Sequence, residues 1–301
     1  MDAVITYVNG LDPVWLEQYR STVGEDIDVK RFRDWGTLRY LLRGIEMHIP
    51  FVRRVFLVVS GESQVPDWAD RSRLKVVLHR DIIPQGFLPV FNSTTIEMFL
   101  HRIPGLDEEF LYLNDDFFPL RDCRAEDFFR DGRMAVSFRR HIFASGFYKK
   151  HCLYSDRLAR ELSGMGPSLF YRRPQHTCAA LLRSVCEELF SKAEDSISAS
   201  ISRVKREENY NYYLFSDYAF YTGRTFRRSV SNRHFSTAVA PVDRVCAFIV
   251  APTADFACIN DVNMPEEKYL SYRKRLLEAF GKAFPRKSRF ELQEAGTASK
   301  D

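Results

Sequence analysis

What this chain lacks narrows it first. None of its six cysteines, Cys123, Cys152, Cys178, Cys186, Cys246 and Cys258, forms a Cys-x-x-Cys pair or stands at zinc-finger spacing from histidine. That argues against a structural zinc module. Cysteines dispersed through 301 residues fit free thiols in a reducing compartment. The absence of His-Glu-x-x-His, Gly-x-Ser-x-Gly and Gly-x-x-x-x-Gly-Lys argues against a zinc protease, an α/β-hydrolase and a P-loop ATPase. No apolar run approaches the ~18 residues of a membrane span. Met1 leads into Asp2 and a strand rather than a signal peptide, so a cytoplasmic protein is expected. The 44 Lys and Arg barely exceed the 40 Asp and Glu, and no dedicated nucleic-acid binder is expected. No internal repeat or low-complexity segment is visible.

Hydrophobic residues make up 45% of the chain and charged residues 28%, enough to bury a real core. In the first half, strand-like runs alternate with helical spacing. Ala3–Val8, Val55–Val59, Leu74–Leu78, Phe110–Leu113 and Met134–Phe138 read as strands. Leu38, Leu41, Leu42 and Ile45 mark one helix face, and Ile96, Phe99, Leu100 and Ile103 another. The alternation predicts an α/β sheet with substantial parallel pairing. The second half reads as more helical: Thr177–Lys192, the aromatic-rich Asn211–Thr222 and an amphipathic Pro265–Phe284. Asp195–Ile201 reads as a mobile loop and 286–301 as a frayed polar tail. Residues 1–285 are expected to form a single α/β catalytic domain, with a strand-helix half (1–140) and a more helical half (141–285).

The densest chemical signal is Phe110-Leu-Tyr-Leu-Asn-Asp-Asp-Phe117. An apolar strand delivers Asn114, Asp115 and Asp116 to its C-terminal end, where α/β sheets bind ligands. Adjacent carboxylates there suit a hard cation such as Mg²⁺; an Asn/Asp turn is the plainer alternative. Asn9, Gly10 and Asp12 follow the first strand, another place where nucleotides sit. Arg39 and Arg43 stand at i, i+4 on the first helix. They suit phosphate as guanidinium forks, or act as ordinary surface residues, with Arg43 pairing to Glu46. Any of His79, His101, His151, His176 and His234 can serve as base or ligand.

These residues match a known pattern. Asp2-Ala-Val-Ile-Thr-Tyr-Val-Asn-Gly-Leu-Asp-Pro-Val-Trp15 resembles the first block of the Stealth family of sugar-phosphate transferases. A second block runs from Arg31-Phe-Arg-Asp34 through Leu38–Glu46, Pro66-Asp-Trp68, Leu88–Ser93, Ile96-Glu97 and Leu100–Leu106 to Leu111–Phe117. His176–Arg183 resembles a third, its His-x-Pro segment at a helix start, with Cys178 where proline is usual. Arg206 falls on a family arginine, with Asn209 and Tyr210 in place of a later acidic pair. Cys258-Ile-Asn-Asp261 resembles the last block.

The resemblance implies a GT-A-like nucleotide-sugar-binding sheet and transfer of a sugar 1-phosphate from a UDP-sugar to a glycan or lipid-linked oligosaccharide. It implies Asp115 and Asp116 holding Mg²⁺ or Mn²⁺, His176 as base, and Asp116, Arg39 and Arg206 in the catalytic set. Asn9, Gly10, Asp12, Arg43, Asn92, Ser93, Asn114, Asn260 and Asp261 are its donor-site candidates. Peripheral attachment at the inner face of the plasma membrane is a further expectation, with the helix from Glu266 to Phe284 as the contact or, more simply, as a packed helix. A glycosyltransferase releasing UDP and a non-catalytic nucleotide-sugar-binding protein are the rival readings.

Overall fold

The computed structural model describes residues 1–24, 32–228, 230–260 and 264–293. The first half runs β1 (Asp2–Thr6), α1 (Pro13–Val23), α2 (Leu38–His48), β2 (Arg54–Val59), β3 (Leu74–Leu78), α3 (His79–Ile82), α4 (Ser93–Glu97) and β4 (Glu109–Asn114). Short strands follow: β5 (Phe117–Pro119), β6 (Phe129–Arg130), β7 (Arg133–Val136) and β8 (Phe138–His141). The second half holds α5 (Gly146–Leu162), β9 (Tyr171–Pro174), β10 (Ala179–Leu182), α6 (Arg183–Lys192), α7 (Glu194–Ser200), α8 (Tyr213–Tyr221) and β11 (Thr225–Arg227). It ends with β12 (Asn232–Ser236), α9 (Val242–Val250), β13 (Phe256–Asn260) and α10 (Glu266–Ala283).

The main sheet has the order β10-β4-β1-β2-β3. β4, β1, β2 and β3 are parallel, and β10 is antiparallel at the edge. The runs Ala3–Ile5 and Val55–Val59 are buried throughout, as parallel strands covered on both faces should be. From β1 the chain builds outward to β2 and β3, then returns to the other side of β1 as β4. That reversal is a topological switch point, and it opens a crevice beyond the C-terminal ends of β1 and β4. Thr6 sits opposite Asn114 in the register, so Tyr7 and the Asn114–Asp116 segment emerge side by side.

A second sheet, β12-β13-β5, ties the late strands to the segment just after Asp116. It is held close to α2. A Cβ added at Gly44 would come within 2.6 Å of the Pro119 carbonyl oxygen, so only glycine admits this approach.

Several sequence expectations change. Strand β1 ends at Thr6, not Val8. Thr177–Lys192 is not one helix: Ala179–Leu182 is the edge strand β10, and only Arg183–Lys192 is helical. His176 therefore precedes a strand rather than a helix. Ala179-Ala-Leu-Leu182 has helix-forming composition, but pairing with β4 overrides propensity. Ile96–Ile103 is the five-residue α4 followed by a single 3₁₀ turn at Leu100–Arg102. Asp195–Ile201 is largely the helix α7, with Ile197 buried. The start of the expected frayed tail is packed: Phe290 and Glu291 are buried, and Asp70 N–H donates to the Phe290 carbonyl at 2.8 Å. Helix α10 buries its aromatic and aliphatic stripe, Tyr269, Tyr272, Leu276 and Phe280, against the domain. No helix among the described residues is long and apolar enough to cross a membrane.

Candidate active site

The crevice is a cleft of about 710 Å³. Its walls include Tyr7, Asp34, Ser93, Asn114, Asp115, Asp116, Lys205 and Asn260. At one end, Trp15, Tyr19, Phe32 and Phe91 pack ring on ring, with Trp15 4.9 Å from Phe32 and Tyr19 4.9 Å from Phe91. A second cavity of about 460 Å³ shares Tyr7, Asp34 and Leu38 with the first and holds Asn9, Arg39, Gln64 and Trp68.

Three carboxylates meet in the cleft. Burial, and then the negative charges of Asp116 and Asp34, raise the pKa of Asp115 well above the carboxylate range. Like charges gathered out of water resist ionisation. Burial, followed by the charges of Asp34 and Asp115, also raises the Tyr7 phenol, which keeps it a hydrogen-bond donor beside the acids. Such a gathering fits a hard dication, which takes oxygen ligands and removes the repulsion. Asp34 ends the segment Arg31-Phe-Arg-Asp34; its proximity to Asp115 depends on the fold and has no signal in local spacing.

His176 lies at the same place. One ligand atom each of Asp116, His176 and Cys258 falls within 4.8 Å of the others. The Cys258 thiol donates to Asp116 Oδ2 at 3.4 Å. Burial and Asp116 raise the Cys258 pKa well above that of a free thiol, which disfavours the thiolate. The carboxylates Asp115 and Asp116 thus fit Mg²⁺ or Mn²⁺ better than this mixed set fits a soft metal.

The His176 ring is locked from behind. Its Nδ1 is 2.9 Å from the Tyr213 hydroxyl, which is 3.2 Å from that of Tyr148. Tyr148 donates to the Pro174 carbonyl at 3.1 Å. A carbonyl can only accept, and each hydroxyl has one proton. The chain therefore runs His176 Nδ1–H to Tyr213, Tyr213 to Tyr148, and Tyr148 to Pro174. This leaves the Nε2 lone pair free. Burial, then His234 and Lys205, lower the His176 pKa to about 4, so the imidazole is neutral near pH 7 and able to accept a proton.

The remaining candidates separate. Asn114, Ser93 and Asn260 line the cleft. Arg39 lines the second cavity, its guanidinium 5.0 Å above the Trp68 ring. Arg43 lines neither cavity. It holds Glu291 through two 2.7 Å bonds and the Phe284 carbonyl at 2.8 Å, and is a tie for the C-terminal segment. Its expected partner Glu46 instead receives Arg289. Asn92 is buried, caps α4 and binds Ser202 and Asn209. Asp12 caps α1 and accepts from Ser63 and Gln64. Asn9 accepts from Leu11 N–H and its own N–H donates to Gln64. Gly10 donates to the Phe32 carbonyl at 2.7 Å, and a Cβ there would sit 2.4 Å from that oxygen. None of these four lines the larger cleft, and Asn9 alone lines the second cavity. Asp261 lies outside the described residues.

Arg206 is exposed, on a turn pinned by Asn209 Oδ1 to its N–H and by His151 Nε2 to its carbonyl. It is the adjacent Lys205 that lines the cleft. Beneath the floor, Glu97 accepts from Tyr212 N–H and stands 3.2 Å from the Tyr112 hydroxyl, and burial raises its pKa to about 7. Tyr112 donates to Asn114 at 2.6 Å, which orients the first residue of the acidic triplet.

The model of Stealth protein CR2, conserved region 2, matches residues 31–136. The capsular polysaccharide phosphotransferase WcwK of Streptococcus pneumoniae is 30% identical over 97% of this chain and 99% of its own length. The receptor polysaccharide phosphotransferase WefC of Streptococcus oralis is 31% identical over 74% of this chain and 79% of its own. The exopolysaccharide phosphotransferase SCO6023 of Streptomyces coelicolor is 32% identical over 98% of this chain and 53% of its own. Among solved structures, the galactosyltransferase LgtC with donor and acceptor sugar analogs covers 93% of this chain and 95% of its own, at 10% identity and a TM-score of 0.41. The glycosyltransferase GlyE of Streptococcus pneumoniae covers 96% and 65%, at 13% identity and 0.40. These two likenesses are loose and assign no residue. Sequence similarity that spans nearly the whole length of WcwK does more: the chain belongs to the Stealth family.

Proposed function

We propose that this protein is a polysaccharide phosphotransferase of capsule or exopolysaccharide synthesis. In this reading it moves a sugar 1-phosphate from a UDP-sugar to a hydroxyl of a glycan or lipid-linked oligosaccharide, forms a phosphodiester and releases UMP. Both halves of the chain form one catalytic unit around a GT-A-like sheet. The observation that carries the reading is Asp116, one of three carboxylates that line the cleft, within 4.8 Å of a locked imidazole. The names of the curated relatives support the phosphotransferase class.

Asp115 and Asp116 are the residues to hold a divalent cation. When bound, it neutralises diphosphate charge and polarises the phosphoryl oxygens. The aromatic end of the cleft, Trp15, Phe32 and Phe91, offers ring faces for a nucleobase. In this reading Lys205, which lines the cleft, and Arg39, which lines the adjoining cavity, supply positive charge to the phosphates, and such groups act by charge stabilisation and positioning; Arg206, exposed on its turn, would have to move to join them. The acceptor hydroxyl attacks the β-phosphorus, and its proton passes to His176 Nε2. The oxygen–phosphorus bond forms as the bond to the bridging oxygen breaks. UMP leaves with that electron pair, and the sugar keeps its anomeric oxygen and phosphate. A bound diphosphate raises the imidazole pKa toward the range where a base is effective.

The test is a panel of UDP-hexoses with a glycan acceptor, read by UMP release with Mg²⁺ or Mn²⁺ and again with EDTA. Metal-dependent UMP from one donor supports the reading. Stoichiometric UDP rejects it in favour of glycosyl transfer, and donor binding with no turnover marks a non-catalytic protein.

A further inference from the structure

Away from the cleft, one face carries large apolar side chains left open to solvent. Phe143 is 82% exposed and Leu169 84%; Ile142, Phe147 and Phe170 are each close to half exposed. They share one place. β8 and β9 are antiparallel with His141 opposite Tyr171, so Ile142 and Phe143 leave the ladder where Leu169 and Phe170 enter it. The Tyr171 hydroxyl donates to the Phe143 carbonyl at 3.1 Å. Helix α5 then starts at Gly146, with the half-exposed Phe147 in its first turn and 6.2 Å from the His151 ring.

The same ladder concentrates positive charge. Arg139 stands directly opposite Arg173, and Arg140 opposite Arg172. Arg172 is neutralised inside by Asp156 and Asp217. Like charges directly opposed across a ladder destabilise it, so the Arg139–Arg173 pairing serves folding badly and awaits an anion. Burial, then the charges of Arg173, Lys149 and Arg139, depress the His141 pKa, which brings Lys149 into the same group.

We propose that this face docks on an anionic lipid bilayer, with Phe143 and Leu169 entering the headgroup boundary and Arg139, Lys149 and Arg173 meeting lipid phosphates. Apolar loop tips inside a basic rim are the chemistry of interfacial binding. A second copy is a worse occupant, because a two-fold axis would press these cations against themselves. The start of α5 also links this face to His176. Phe147 belongs to the face, and the next residue, Tyr148, packs 5.5 Å from the His176 ring. Docking would therefore hold the catalytic wall near the bilayer, within reach of an acceptor carried on lipid. That consequence rests on the phosphotransfer reading; the docking itself does not.

The test is flotation of the full chain with vesicles of phosphatidylcholine alone and with about a third phosphatidylglycerol. The expected result is binding to the anionic vesicles only, weakened by salt. Phe143→Asp and Leu169→Asp should each weaken it about tenfold, and Arg139→Glu with Lys149→Glu should erase the preference for anionic lipid. All variants should keep the wild-type unfolding temperature and turnover on a soluble acceptor. Failure of the wild type to float, or undiminished binding by the variants, overturns the proposal. So does a concentration-dependent dimer, seen by light scattering, that Phe143→Asp dissolves. Turnover with no flotation sinks the docking alone; flotation with no turnover sinks the phosphotransfer reading alone.

Discussion

Two groups of buried acids in this molecule face opposite surroundings. Asp156 and Asp217 share one guanidinium, with Arg172 at 2.8 Å from the first and 3.1 Å from the second. That guanidinium stacks 3.6 Å from the Tyr221 ring centre and 4.3 Å from Phe220. Asp115, by contrast, has Asp116 and Asp34 as its charged neighbours. The first group has its counter-charge in place and joins α5, β9 and α8, although burial still raises the Asp217 pKa and its Oδ2 makes no hydrogen bond. In the second, like charges gather beside Asp115, and an added cation would relieve them. Like charges gathered in a cleft point to function; carboxylates bridged by a guanidinium in a core point to scaffolding.

The comparison breaks most visibly by substitution. Asp115→Asn and Asp116→Asn should nearly abolish turnover, yet leave unfolding by urea unchanged or harder, because repulsion is relieved. Mg²⁺ should raise the wild-type unfolding temperature and not theirs. Arg172→Met should lower stability by about 3–5 kcal/mol, since it strands two buried carboxylates. If Asp115→Asn instead unfolds the protein and Arg172→Met is harmless, the two groups have been read the wrong way round.

His176→Ala should reduce turnover by about 10²–10⁴-fold with little change in donor affinity. Tyr213→Phe should cost roughly tenfold, by releasing the Nδ1 proton from its acceptor. Normal single-turnover rates for Tyr213→Phe would remove the hydroxyl chain from the account.

Arg39 and Arg43 sharpen the contrast on one helix. Arg43→Ala should cost about 1–3 kcal/mol of stability, because Glu291 is left buried and unpaired. Arg39→Ala should raise KM for the donor and leave unfolding alone. A donor KM effect from Arg43→Ala in protein that is fully folded would return it to the site.

The smallest effect is in pH. The His176 pKa is about 4 in the fold against 6.5 unfolded. Between those values the unfolded chain binds the extra proton, so stability falls as pH drops from 6.5 toward 4. His176→Gln should flatten that part of the stability–pH curve. An unchanged slope would place the loss elsewhere, with His79 and His101, whose pKa values burial also lowers to about 4, and His141, His151 and His234, which burial also lowers, among the other sources.

The acids were legible in the sequence because an apolar strand delivers three polar residues to its C-terminal end; local spacing left the plainer turn reading beside it, and strand order decides where that end opens. The partners were not. Asp34, Lys205 and Tyr213 reach Asp115 and His176 only through tertiary folding. Spacing treats Arg39 and Arg43 alike, and only the return of Glu291, 248 residues on, tells them apart. The edge strand at Ala179–Leu182 was hidden by its helix-forming residues. Its pairing with β4 sets where the chain leaves His176.

The most direct test follows the β-phosphorus. With a UDP-sugar labelled there, the account predicts that label moves into the glycan as a phosphodiester while unlabelled UMP is released in equal amount. Label remaining in released UDP, with no phosphorus in the glycan, would contradict it.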